Sequence, residues 1–155
     1  MLDLTAWAER ISTAEVQASL AADVDAARKS RTLPSVVVVP GREAVTVVPM
    51  TQGSRHKIVV EVLVVTGVSR GNQPLGGPMV DQLSGVRRPV LQRLVDWMPP
   101  PFGTSTPSRS WYDYFTLPVL SYDTEVAWHG GQLLSMSDNA MYWVDAFRTE
   151  YWWTP

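Results

Sequence analysis

Cysteine is absent from the 155 residues, which excludes disulfides, thiolate metal sites, cysteine nucleophiles and thiol redox switching together. Such a composition fits a reducing compartment. Charge is scarce too: Asp, Glu, Lys and Arg make up 18% of the chain, below the usual quarter, so part of the surface is expected to be covered by something else. A net charge of −2 gives no electrostatic reason to expect attachment to nucleic acid or a membrane. Long hydrophobic runs are missing, since Val36–Val39 is far too short to span a bilayer and Ile58–Val68 is short and broken by Glu61. The opening residues Met1-Leu-Asp-Leu-Thr-Ala-Trp7 lack the basic and apolar regions of a signal peptide, and synthesis in cytoplasm is expected. Aromatic residues are nearly absent from the first half, where Trp7 is the one ring before Trp97. The two halves therefore do different jobs.

What is present reads as one α+β domain over residues 1–155. Ser12 followed by Glu15 suggests a capping box. Val16, Leu20, Val24 and Ala27 recur at helical spacing toward Arg28-Lys29, which predicts a helix over 13–29. Residues 3–11, with Trp7 and Ile11, form either a separate short helical turn or part of the same helix. Val36–Val39 between Pro34 and Pro40 predicts a short buried strand, with a turn at Gly41 and a second strand near Val45–Val48. His56–Val68 predicts a longer strand with Ile58, Val60, Val62 and Val64 on a wholly apolar face. At about 3.3 Å per residue its outer end is expected to project beyond the body.

A Gly- and Pro-rich loop over 66–78 precedes a second helix. Val80, Leu83, Val86, Val90, Leu91, Leu94 and Val95 line one face of that helix. Pro89 is expected to kink or divide it. Pro99-Pro-Pro101 stops it, and the aperiodic loop 98–116 that follows is too aromatic for a linker; a stretch of this kind is usually functional or ordered by a partner. Tyr122–Trp128, a turn at His129-Gly-Gly131 and Gln132–Met136 predict a hairpin, and Ser137-Asp-Asn139 turns into a last strand, Ala140–Trp153.

Catalytic chemistry is thin. The chain contains no Walker-type loop, no Gly-x-Ser-x-Gly elbow and no His-Glu-x-x-His pair, and no catalytic, cofactor-binding or metal-binding residues are assigned. His56 and His129 read as exposed or locally bonded. Asp123 and Glu125 share a strand face and read as a solvated edge. Arg28, Lys29 and Arg31, and Arg87, Arg88 and Arg93, read as solvated helix faces, because no stacking aromatics interleave with them. Glu61 within a Val-rich strand is either at an open edge or paired, with an Arg across an interface as the favoured partner. Tyr151-Trp152-Trp153 is the strongest local signal, since adjacent strand residues point to opposite faces and both Trp rings are buried only if both faces are covered. They either cap the subunit's own core or anchor an interface. Glu61, Trp111, Tyr112, Tyr114, Phe115, Tyr151, Trp152 and Trp153 make up the candidate interface set.

The order of these elements resembles the tail terminator proteins of long-tailed bacteriophages. The segments carrying the likeness are Val90-Leu-Gln-Arg-Leu-Val-Asp-Trp-Met-Pro99, Trp128-His-Gly-Gly-Gln-Leu-Leu134 and Phe147-Arg-Thr-Glu-Tyr151. The resemblance implies a mixed, mainly antiparallel sheet with two principal helices packed on one face. It implies no active site, no enzyme and no cofactor. It also implies a homo-oligomeric, hexameric ring at the head-proximal end of the virion tail, with the tail tube protein and the head–tail connector protein as partners. DNA would pass through its channel without specific binding, and no membrane is involved. Two rival readings stand beside it: a connector or stopper subunit on the head side, and a ligand-binding module in which Trp111, Tyr112, Tyr114 or Trp128 stack on a sugar or nucleotide.

Overall fold

The computed structural model describes residues 3–29, 32–69, 77–99, 121–122, 125–137 and 139–153. Its centre is a six-stranded sheet. The longest strand, β3 (Ser54–Ser69), is flanked by β2 (Ser35–Pro49) on one side and β6 (Ala140–Trp153) on the other. β1 (Ala18–Leu20) pairs parallel with Val36–Val38, and every other pairing is antiparallel. β4 (Ser121–Tyr122) and β5 (Ala127–Met136) share the far side of β6. The fold is therefore α+β with a mixed, mostly antiparallel sheet, as expected.

The apolar face predicted for β3 is the core. Ile58, Val60, Val62 and Val64 are buried with Val36, Val38, Phe147 and Tyr151 beneath α1 (Leu4–Ile11) and α3 (Gly77–Leu94). Helix α1 starts where the Asp3 carboxylate accepts from the Thr5 and Ala6 amides, an N-cap that satisfies otherwise orphaned donors. Trp7, Ala8 and Ile11 then face the sheet, and Trp7 meets Trp97 edge to face at 5.5 Å between centroids. The opposite sheet face is covered more sparsely. There Ala27 of the short α2 (Val24–Arg28) packs against Val37, Val39, Val65 and Val144. Helices thus lie on both faces, with the two longer ones together on one.

Four expectations need correction. Residues 13–29 do not form one helix. The Ser12 hydroxyl donates to the Ala8 carbonyl and accepts from the Ala18 amide, so Ser12 ends α1 instead of capping a new helix. Thr13 closes a turn on Val16, β1 follows, and Asp23 caps α2. Short hydroxyl and carboxylate side chains bonding to nearby backbone have outcompeted the helix that the apolar period suggests.

Gly41 does not turn the chain, because β2 runs through it as one strand with a bulge between Pro40 and Glu43. Pro40 has no ladder donor, and Gly41 sits directly on the Glu61 backbone, where any Cβ would collide. The actual turn is Met50–Gly53, closed by the Met50 amide on the Gly53 carbonyl, with Gly53 at φ 89°.

Pro89 does not divide α3, which is continuous. The carbonyl it deprives of a donor belongs to Gly85, four residues earlier. Gly85 lines a cleft of about 650 Å³ between α3 and the 11–16 segment, with nothing crowding its side-chain position.

The His129–Gly131 segment is likewise a bulge inside the single strand β5, and not a hairpin turn. Gly131 lies against the Asp145 carboxylate and the Trp143 indole, with no room for a side chain. The loops expected over 66–78 and 98–116 fall largely outside the described residues. Of the first, 66–69 belong to β3 and 77–78 to α3.

Candidate assembly surface

Past the stretch of β2 that β1 covers, β2, β3 and the end of β6 continue as an arm of paired strands, with β4 alongside Tyr151 and Trp152. Its exposed part is the outer half of β2, while Ile58, Val60 and Tyr151 within it are buried. The body ends abruptly along β2: Ser35–Val39 is buried, and every residue from Pro40 to Pro49 is exposed. Val45, Val47, Val48 and Met50 stand 38–56% exposed, so the arm presents apolar side chains to solvent. Single exposed apolar residues are ordinary, but clustering on one projecting element marks a contact surface.

The face of the arm opposite the helices carries a ladder of paired charges. Glu61 pairs with Arg148 at 3.3 Å, and Lys57 with Glu150 at 2.7 Å. Arg55 lies over the Trp152 ring, 4.3 Å from its centroid. Glu61 therefore does have an arginine partner, but in its own chain, because β3 and β6 place Glu61 directly opposite Arg148. Half-exposed pairs of this kind contribute little stability; they keep an uncovered sheet face soluble and its charges matched.

The candidate interface residues are scattered. Tyr151 is 1% exposed and lies in the core with Ile58 and Phe147. Burial, with the nearby Glu43 carboxylate adding to it, pushes its phenol up to about 12. Trp152 is half-buried on the open face. Trp153 pairs with His56 through the backbone, and its side chain lies outside the described residues. Trp111, Tyr112, Tyr114 and Phe115 lie outside them as well, as does Asp123. His56 meets the Ser54 hydroxyl at 3.0 Å, whereas His129 and Glu125 are exposed.

Behind this surface is a polar bolt that the sequence did not disclose. Arg87 of α3 donates through Nε and Nη2 to the two carboxylate oxygens of Asp145, each at 2.8 Å. The Trp128 indole N–H adds a third bond to Asp145 at 3.1 Å, and the Arg87 guanidinium lies 4.8 Å from the Trp143 ring centroid. Asp145 is buried, so Arg87 is not a solvated residue as expected; it ties α3 to β5 and β6. Arg93 is also engaged, reaching the Arg10 and Ser12 carbonyls at the end of α1. These contacts hold the helices rigidly behind the sheet.

Among the described residues no helix is long and apolar enough to cross a membrane. The open surfaces of this sheet domain, among the described residues, are its strand edges and the outer half of β2. Comparison with known families matches residues 1–154 to the phage tail terminator protein family. The chain belongs to that family, and is a structural protein of the phage tail. No curated protein matches it. A chain from the virion of a native gene transfer agent particle is similar in structure, with a TM-score of 0.46 and 12% identity, over 94% of this chain and 83% of that one.

Proposed function

We propose that this protein forms a hexameric ring on the last ring of the tail tube, stops tube polymerisation there and offers the surface on which the head connector docks. Family membership supports the tail role. The observation that carries the reading is the arm, with Val45, Val47, Val48 and Met50 exposed beyond the helices on a strand that is otherwise well ordered by its pairing to β3. A subunit that works alone gains nothing from such an element, whereas a ring subunit buries both flanks against copies of itself. Trp152 and Trp153, at the end of β6 on the same arm, are assigned as interface anchors. Tryptophan is a frequent anchor in such contacts.

DNA passes through the ring without tight binding in this reading. Transit is hindered when basic groups neutralise phosphates, because each contact adds salt-dependent affinity. Lys57 and Arg148, the basic side chains central to the open face, are already matched by Glu150 and Glu61. The protein acts by contact alone, with no enzymatic step and no cofactor. The test is the mass of the protein by light scattering, alone and mixed with the tail tube protein. A closed species of six subunits, formed alone or on the tube end, is expected; a strict monomer in both conditions would overturn the ring.

A further inference from the structure

We infer that neighbouring subunits join edge to edge: the outer half of β2 in one copy adds antiparallel to β5 of the next, so that the sheet runs unbroken around the ring. This rests on the ring reading above and names the surfaces that build it.

The first edge is Glu43–Pro49. β1 covers β2 at Val36–Val38, and among the described residues Glu43–Pro49 pairs on its β3 side alone. The Met50 amide bonds to the Gly53 carbonyl at 3.2 Å. In an antiparallel ladder, bonded and non-bonded positions alternate. Counting back from that bond, Val48 and Thr46 turn their backbone groups toward Arg55 and Lys57, while Val47 and Val45 turn theirs outward. The side chains of these two residues are also 55–56% exposed. From Ala44 to Pro49 the segment reads Ala-Val-Thr-Val-Val-Pro with no charge. A free apolar edge without charged residues is what folded proteins usually avoid unless another strand covers it.

Among the described residues the second edge is β5, at the opposite side of the sheet. It pairs with β6 on one flank, contains no Asp, Glu, Lys or Arg between Ala127 and Met136, and exposes Trp128, Leu133 and Met136 by 46–57%. Strand directions then decide the fit. β5 and β2 are antiparallel to β6 and β3, respectively, and β3 is antiparallel to β6, so β5 runs parallel to β3 and opposite to β2. A sheet continued from copy to copy therefore brings β5 to β2 antiparallel, the pairing with the better hydrogen-bond geometry. Because the two edges are unlike, the contact is heterologous: it repeats from copy to copy instead of stopping at a dimer, and in the ring reading the repeated rotation closes.

β1 fixes the stagger. Within one subunit β5 is level with the Val62–Val68 half of β3 through β6, and hence with the half of β2 that β1 occupies. A neighbour's β5 must slide outward onto the arm, which sets the strands oblique to the ring axis, as closure of a sheet requires.

The chain's lack of cysteine makes the test clean. Val47→Cys and Leu133→Cys are prepared separately in the full chain, and assembled alone or mixed, with and without tube protein, before a short bismaleimide is added. The mixture is expected to give a band of twice the subunit mass, and each variant alone none. In parallel, Val45→Pro and Val45→Lys are expected to lower the closed-ring fraction at least tenfold, while Val45→Thr keeps it. The Lys variant serves should the Pro variant fail to fold. Self-linking of Val47→Cys, linking of Val47→Cys to the tube protein, or normal rings from folded Val45→Lys would each overturn the edge assignment. If tubes are still capped in those cases, the terminator reading stands and the edge contact alone falls; if wild-type protein neither closes a ring nor caps tubes, both fall.

Discussion

Replacing Arg87 by methionine tests the bolt behind the sheet. Asp145 is 1% exposed and Arg87 18% exposed at the side chain, and the carboxylate receives three donors, two from Arg87 and one from Trp128. Arg87→Met keeps most of the side chain's apolar length but leaves a buried carboxylate with the indole N–H alone. Removing one member of a buried pair costs about 3–5 kcal/mol. With a urea slope of about 2 kcal/mol per M, the unfolding midpoint falls by roughly 1.5–2.5 M. That is a large share of a total stability of about 5–15 kcal/mol. Arg87→Met with Asp145→Leu is expected to recover most of the loss, since an apolar replacement of both partners is often neutral. A cost under about 1 kcal/mol for the single variant would mean that the pair is effectively solvated, and would refute its role in fixing α3 to the sheet.

Gly131→Ala is expected to lose about 1–3 kcal/mol in the same assay, because a methyl group there meets Asp145 and the Trp143 indole. Glu61→Gln should change stability by less than about 1 kcal/mol, since Arg148 is 48% exposed; a larger loss in the isolated subunit would contradict the picture of an open face. Tyr151 makes a prediction for alkaline solution. Its folded phenol titrates near 12 against 10 for the ordinary group, so between those values the folded state holds a proton that the unfolded state has lost. Stability from this group is therefore flat below pH 10 and falls as pH rises through about 12. Denaturation midpoints of wild type and Tyr151→Phe should diverge over that window, the variant losing less.

Regular periodicity was the readable part of the sequence. The Ile58-Val60-Val62-Val64 face is the core, and the last strand spans Ala140–Trp153 as its pattern indicates. Both follow from a side-chain period of two that burial enforces. Failures came where one local bond or one close approach outweighs a pattern. Ser12 spends its hydroxyl on Ala8 and Ala18, and Gly131 makes room for Asp145; none of the three partners is adjacent in sequence. Pro89 reads as a break until Gly85 is seen facing an open cleft.

The candidate surface was legible in outline and not in detail. The strand near Val45–Val48 was legible, but not the exposure of its side chains, because apolar residues in a strand give no sign of which half the helices cover. Asp145 had a weak signal, a lone acid between Val144 and Ala146, without anything to name Arg87 as its partner 58 residues away. Glu61 read as exposed or as paired with an arginine across an interface; its arginine is in its own chain, and only the β3–β6 register reveals it.

Tube length measures the central claim most directly. Tail tube protein is polymerised with and without this protein, and lengths are counted by negative-stain electron microscopy. Addition at one ring per tube is expected to halt growth, leaving short tubes that carry density of six-fold symmetry at one end and that do not elongate when fresh tube protein is supplied. Tubes that grow to the same length with or without it, their ends bare, would contradict the assignment.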